Sequence, residues 1–183
     1  VDKVNCTNWK TFLDACAELS KAPAVDKDGN PYKTIVIDTI DNLVSYCTAH
    51  VCKEQGVDYV GDLPMGKGWY MVTSELSRVI NKLACMGYGL VMVSHSQQEE
   101  VELKTGKKIS RWNISIGGKN KNIFLNIADM ILFIDSMVDK EGNERRLIRT
   151  KPSVYWEAGD RTNCLAPEIA LDYGELVKQL NKG

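Results

Sequence analysis

Asp38 is the residue whose type and setting point most directly to chemistry. It closes the run Thr34-Ile35-Val36-Ile37-Asp38-Thr39, in which three consecutive β-branched apolar residues show no polar alternation. Such a run reads as a strand buried on both faces, the habit of a parallel sheet under helices. A carboxylate at the mouth of an apolar strand is costly to bury without a partner. The carboxyl ends of strands are also where ligands collect in open α/β folds. An apolar strand ending in Asp is one way a protein holds the magnesium of a bound nucleotide, directly or through water. The competing reading is an aspartate that merely starts the helix beginning near Asp41.

Two other groupings carry suggestive residue types. Cys47, His50 and Cys52 are ligating residues, but their spacing spreads them around one helix and no fourth zinc ligand is in view. Gly61-Asp62-Leu63-Pro64-Met65-Gly66-Lys67-Gly68 satisfies the G-x-x-x-x-G-K part of a phosphate-binding loop. It fails two physical requirements. Gly68 stands where a hydroxyl should ligate magnesium, and the residues before the run form a polar loop after a helix instead of a buried strand. The expectation is a loop feeding the helix that contains Trp69.

The elements that must position these residues follow from periodicity. Thr7 or Asn8 can cap a helix to about Lys21, with Trp9, Phe12, Leu13, Cys16 and Ala17 as its apolar stripe. A turn around Asp28-Gly29-Asn30-Pro31 precedes the Asp38 strand. Asp41 to about Glu54 reads as helix, with Leu43, Val44, Cys47 and Val51 inward. A loop from Gln55 to Lys67 leads to a helix from about Gly68 to Met86. Tyr88 to Ser94 is a second buried strand, ending in Ser94-His95-Ser96-Gln97. Period-two character from Glu99 to Asn113 around Lys104-Thr105-Gly106-Lys107 predicts a protruding hairpin within 97–117. A short helix near Asn120 to Asn126, a third apolar strand from Asp129 to Ile134, an antiparallel return from Arg146 to Thr150 and a closing helix from Glu175 to Asn181 complete the pattern. The predicted class is α/β, a three-layer, mainly parallel sheet covered by helices, with antiparallel C-terminal strands.

With 183 residues and 44% hydrophobic content, a single domain over 1–183 is expected. A formal net charge of -1 gives no global attraction to nucleic acid, so any such contact must be local. The six cysteines form no CxxC pair and read as reduced thiols of a cytoplasmic protein. No apolar run approaches the roughly 18 residues of a membrane span.

Taken in order, the segments from Thr34 to Arg161 resemble the second half of a RecA-type ATPase core. Ile35-Val36-Ile37-Asp38-Thr39 looks like its Walker B strand, Met65-Gly66 opens a long helix, and Leu90 to Val93 looks like the sensor strand. Gly117-Gly118 precedes a helix and another strand, and Arg149-Thr150-Lys151 follows on an antiparallel strand. Ile127-Ala128-Asp129 and the stretch from Arg149 to Arg161 look closest to the phage-borne branch, RecA-like nucleotide-binding proteins associated with single-strand annealing and recombination. The resemblance covers about two thirds of the chain, and its specificity lies in the order of short motifs.

The resemblance implies ATP and Mg2+ as cofactors of the intact protein, with Asp38 holding the metal through water and Thr39 beside it. Ser94, His95 and Gln97 would report on the γ-phosphate. His95 departs from the family, which usually ends that strand in an amide, though a ring N–H can meet a phosphate oxygen. Arg149 and Lys151 match positions that reach a neighbouring subunit's nucleotide, on one face of a strand by alternation. The alternative is a solvated basic edge. The loops at 55–67 and 97–117 fall where RecA-like proteins contact DNA. From Glu99 to Lys121, the cations Lys104, Lys107, Lys108, Arg111, Lys119 and Lys121 outnumber Glu99, Glu100 and Glu102, and Trp112 could stack on a base, whereas the first loop is acidic through Asp58 and Asp62.

The first 37 residues show one helix and turns but no glycine-rich strand-to-helix junction, and the chain begins with Val. The expectation is therefore a RecA-like core fragment from the Walker B strand onward, which by itself neither binds ATP tightly nor hydrolyses it. The leading function is the C-terminal part of a phage-type ATPase acting on single-stranded DNA as a homo-oligomer, in the cytoplasm of a bacterial host. A replicative-helicase relative and a non-catalytic scaffold domain are the alternatives.

Overall fold

Asn8 opens the first helix in the way its side chain allows. In the computed structural model, which describes residues 2–181, its carboxamide accepts the Thr11 amide at 3.0 Å while the Thr11 hydroxyl accepts the Asn8 amide at 3.2 Å. This reciprocal cap starts α1 (Trp9–Lys21), whose buried side chains are Trp9, Phe12 and Cys16. Val1, Lys182 and Gly183 lie outside the described residues.

The strand β1 (Thr34–Asp38) runs into α2 (Ile40–Gln55) through a cis peptide between Asp38 and Thr39. Thr39 is the cap of α2, its hydroxyl accepting the Asn42 amide at 3.4 Å. Gly56 ends the helix in the left-handed conformation at φ 65°. Two 3₁₀ turns, Val60–Asp62 and Pro64–Gly66, lead to α3 (Lys67–Ala84). Val72, Leu76, Val79, Ile80 and Leu83 form its buried stripe at spacings of three and four. The chain continues through β2 (Gly89–Val93), the hairpin β3 (Ser96–Glu102) and β4 (Lys108–Ile114), and α4 (Asn120–Ile127). It ends with β5 (Met130–Ile131), β6 (Phe133–Val138), β7 (Glu144–Arg149), β8 (Gly159–Asp160), β9 (Glu168–Ala170) and α5 (Tyr173–Leu180).

These elements form two units. One holds the described residues up to His95 together with Ser115–Ile127, and the other holds Ser96–Ile114 with the described residues from Ala128 on. In the first, β1 and β2 pair in parallel, with Thr34 opposite Gly89 and Asp38 opposite Val93. In the second, β7 is flanked by β6 and β9, all antiparallel. Ile148 and Ile169 face an apolar core with Leu165, against which Met130, Leu132, Leu176 and Leu180 pack.

The architecture is mixed α/β, and two expectations about the sheet need correction. The three-layer, mainly parallel sheet is not formed, because the only parallel strand pair among the described residues is β1–β2. The segment Asp129–Ile134 does not join it. It splits at Leu132 into β5, which pairs with β8, and β6, which pairs with β7 across the short turn Asp139-Lys140-Glu141-Gly142-Asn143. Local closure of a five-residue turn costs little chain entropy, so it competes well with a distant parallel partner. Burial on both faces also fails. Ile37 is buried, but Val36, Val91 and Val93 are 59%, 47% and 39% exposed, so one face of the β1–β2 pair is open.

One acid organises the chain between β8 and β9. The Asp160 carboxylate accepts the Thr162 hydroxyl at 2.6 Å and the Thr162 and Leu165 amides at 2.9 and 3.0 Å, with Lys151 Nζ at 3.4 Å. Burial pushes its carboxyl up, but the Thr162 and Leu165 hydrogen bonds and the Lys151 charge outweigh it and bring the pKa to about 2. A depressed folded pKa means that the unfolded chain takes up the proton first. This contribution to stability is therefore complete above the ordinary aspartate value of 3.8 and is lost as pH falls toward 2. Urea unfolding as a function of pH is expected to show a smaller fall in midpoint for Asp160→Asn than for wild type across that window. Equal falls would remove Asp160 as the cause.

Candidate functional site

Parallel pairing fixes the geometry of the rim. Because Asp38 lies opposite Val93, β1 and β2 end together, and Ser94 and His95 leave the sheet at the edge where Asp38 leaves it. Asp38 is exposed, and its side chain makes no hydrogen bond or ion pair among the described residues. Its oxygens are thus open to a hydrated cation. Thr39, by contrast, has its hydroxyl engaged as the cap of α2.

A second carboxylate at this rim was missed by sequence reasoning. Asp41, in the first turn of α2, accepts the Ser94 hydroxyl at 3.2 Å, the His95 amide at 3.1 Å and the hydroxyl of Ser115. The Ser115 amide in turn donates to the His95 carbonyl at 2.9 Å. Burial works against the Asp41 charge, yet the bonds from Ser115, His95 and Ser94 more than offset it. They hold its carboxyl below the usual aspartate range. The one sequence signal was an acid in a first helical turn, which ordinarily means a favourable dipole contact and nothing more. The two carboxylates therefore differ: Asp41 accepts three hydrogen bonds from protein donors, whereas the Asp38 side chain accepts none among the described residues.

The remaining residues singled out from the sequence are placed as follows. Gln97 lies in β3, in the second unit, where its amide donates to Glu99 at 3.2 Å. Arg149 ends the central strand β7 and is 8% exposed. Its guanidinium bonds Asp135 at 3.0 Å, pairs with Glu168 and lies 4.8 Å above the Trp156 ring. Lys151 falls outside β7, so the alternation expected to put it on one strand face with Arg149 does not extend that far. Its side chain is 33% exposed and leans on Asp160.

The predicted hairpin is formed by β3 and β4, in register from Ser96 opposite Ile114 to Glu102 opposite Lys108. Its cations are not equivalent. Lys108 pairs with Glu100 and Arg111 with Glu157, each at 2.8 Å. Lys104 and Lys107 sit in the turn and make no ion pair among the described residues. One face of Trp112 packs near Phe133, which is itself stacked on Trp156, with ring centroids 6.2 and 6.3 Å apart. Lys119 and Lys121, at the start of α4, belong to the first unit.

The G-x-x-x-x-G-K run occupies the two 3₁₀ turns, with Lys67 as the first residue of α3 and α2 before it. A Cβ on Gly68 would lie 2.2 Å from the Val60 carbonyl oxygen. Glycine is there because the turn crosses the helix start too closely for any side chain, so a magnesium-binding hydroxyl has no room. Cys47 is buried, its thiol facing the Val72 carbonyl at 3.9 Å. Burial pushes that thiol up to about 12, and no cluster of three metal-ligating residues forms among the described residues. No described helix is long and apolar enough to cross a membrane.

Comparison with known proteins places these features in context. Residues 1–162 match the family described as AAA domain. Over 94 residues the chain is 28% identical to the SPbeta prophage-derived uncharacterized protein YorG of Bacillus subtilis (strain 168). That alignment takes in 51% of this chain and 28% of the relative's length. No solved structure matches.

Proposed function

Because this chain belongs to the AAA domain family, we propose that it is part of a RecA-like, phage-type ATPase that acts on single-stranded DNA. The observation that carries this reading is the shared rim of β1 and β2, where the free carboxylate of Asp38 stands beside the exits to Ser94 and His95. A magnesium ion bound with ATP would neutralise phosphate charge there. Asp38 would accept hydrogen bonds from the ion's water shell, a role for which Asp41 is less free because it already accepts three hydrogen bonds from protein donors. The exposed His95 ring supplies a donor for phosphate oxygens, and the Ser94 hydroxyl, already donating to Asp41, lines the site. In an assembly of copies, Lys151 is better exposed than Arg149 to meet a neighbour's phosphates. On the hairpin, Lys104 and Lys107 are the cations available for a nucleic-acid backbone.

The placement of the G-x-x-x-x-G-K run favours a second reading, a non-catalytic binding domain. That run follows a helix and has no hydroxyl, so within this chain it offers no phosphate cradle.

The test is calorimetric titration of the magnesium complex of ATPγS into this chain and into a version extended upstream. Tight binding is expected of the extended protein only, weakened about tenfold or more by Asp38→Asn. A labelled oligothymidylate titrated into the same proteins should bind more weakly when Lys104 and Lys107 are both alanine. Absence of nucleotide binding in both forms would retire the ATPase reading and leave the binding domain.

A further inference from the structure

The hairpin β3–β4 leaves the first unit after His95 and returns to it at Ser115. Both of these crossing points are tied to one carboxylate. Asp41 Oδ2 accepts the His95 amide at 3.1 Å, and Asp41 Oδ1 accepts the Ser115 hydroxyl. The Ser115 amide closes the arrangement on the His95 carbonyl at 2.9 Å. Ser94 adds its own hydroxyl to Asp41 Oδ1 at 3.2 Å. Asp41 is separated from Asp38 by only Thr39 and Ile40, and Thr39 is the residue that starts α2. The β1 exit and the carboxylate that holds His95 and Ser115 thus lie on one short continuous stretch of chain, from Asp38 through the start of α2 to Asp41.

We infer that Asp41 is the positioning residue that couples occupancy of the Asp38 rim to the Ser96–Ile114 hairpin, by clamping His95 and Ser115 together. The inference rests on the nucleotide reading of that rim. The physical basis is that hydrogen bonds to a charged acceptor are among the stronger ones in proteins. Three of them converge here on a group that the rest of the site leaves unused. None of the three donors is adjacent to Asp41 in sequence, so the clamp exists only in the folded chain.

Hydrogen exchange on the upstream-extended protein tests this, with and without the magnesium complex of ATPγS. Without nucleotide, Ser115→Ala and Asp41→Asn should each speed exchange across residues 95–114 by about tenfold, while α3 exchanges as in wild type. Ser115→Thr, which keeps the hydroxyl, should restore the wild-type rate. With nucleotide, exchange in the wild-type hairpin should change. In Ser115→Ala the nucleotide should bind with wild-type affinity and leave hairpin exchange unaltered. Wild-type exchange in the free variants, or a wild-type hairpin response to nucleotide in Ser115→Ala, would overturn the coupling. Should Asp41→Asn loosen the whole first unit, Ser115→Ala alone decides between these outcomes. A wild-type protein that takes no nucleotide sinks the function and the coupling together. The free-protein comparison then still reports whether Asp41 clamps the two feet.

Discussion

Arg149→Met is expected to destabilise the second unit by about 2–4 kcal/mol, between the small worth of an exposed ion pair and the large cost of breaking a buried one. The argument starts from strand register. Phe133 and Glu168 are the cross-strand partners of Arg149, so all three side chains lie on one face of the β6–β7–β9 sheet. Alternation along β6 adds Asp135 and Met137 to that face. The guanidinium meets Asp135, Glu168, the Met137 sulfur and the Trp156 ring. Methionine keeps much of the aliphatic stem but leaves two carboxylates facing each other across an empty position. Glu168 is half exposed and can relax into water, which holds the cost below that of a fully buried pair; Asp135 has less freedom. In thermal unfolding the loss should appear as a fall in melting temperature of roughly 5–15 °C. Arg149→Lys should recover part of it, since a point charge can reach one carboxylate but not fork between two. An arginine whose task is to reach a neighbour's nucleotide predicts something different: a variant that melts like wild type and fails only in ATP hydrolysis. That result would remove the structural assignment.

The fate of Arg149 illustrates what the sequence could and could not convey. Patterns confined to a few residues were legible. The Trp9, Phe12 and Cys16 positions of the α1 stripe, the Asn8 cap, the stripe of α3 and the hairpin turn Lys104-Thr105-Gly106-Lys107 appear where spacing and turn chemistry put them, although Ala17, expected on the α1 stripe, is exposed. So does the parallel pairing that aligns the ends of β1 and β2. What a run of Ile and Val cannot specify is how many of its faces are covered. Ile35-Val36-Ile37 reads the same whether or not a layer covers its second face, and here that face is open at Val36. The strands β8 and β9 span two and three residues, too short for any periodicity to show. Asp41 was passed over because its donors are 53, 54 and 74 residues away, and nothing local marks a carboxylate with distant partners. Arg149 was read from its motif neighbours. Its acidic partners, at Asp135 and Glu168, became visible only once the strands were in register.

In the first unit the largest effect is expected at Trp9. Trp9→Ala should cost about 3–5 kcal/mol, the range for deleting a buried aromatic side chain. The indole is 1% exposed, with the Phe12 ring 5.6 Å away at a tilt of 36°. Its Nε1–H donates to Glu75 Oε1 at 3.1 Å, and the same carboxylate is gripped by Arg78 at 2.8 and 2.9 Å. Two contributions can be separated. Trp9→Phe removes the N–H while retaining most of the apolar volume. Because Arg78 still satisfies Glu75, that loss should be about 1 kcal/mol. The remainder belongs to the cavity that alanine would open where the indole is buried, and that phenylalanine largely fills. Chemical denaturation of both variants therefore gives an order, with alanine far below phenylalanine and phenylalanine just below wild type. If the two variants were equally destabilised, the hydrogen bond to Glu75 would be the principal tie between α1 and α3. If neither differed from wild type, α1 would not be docked through Trp9 at all.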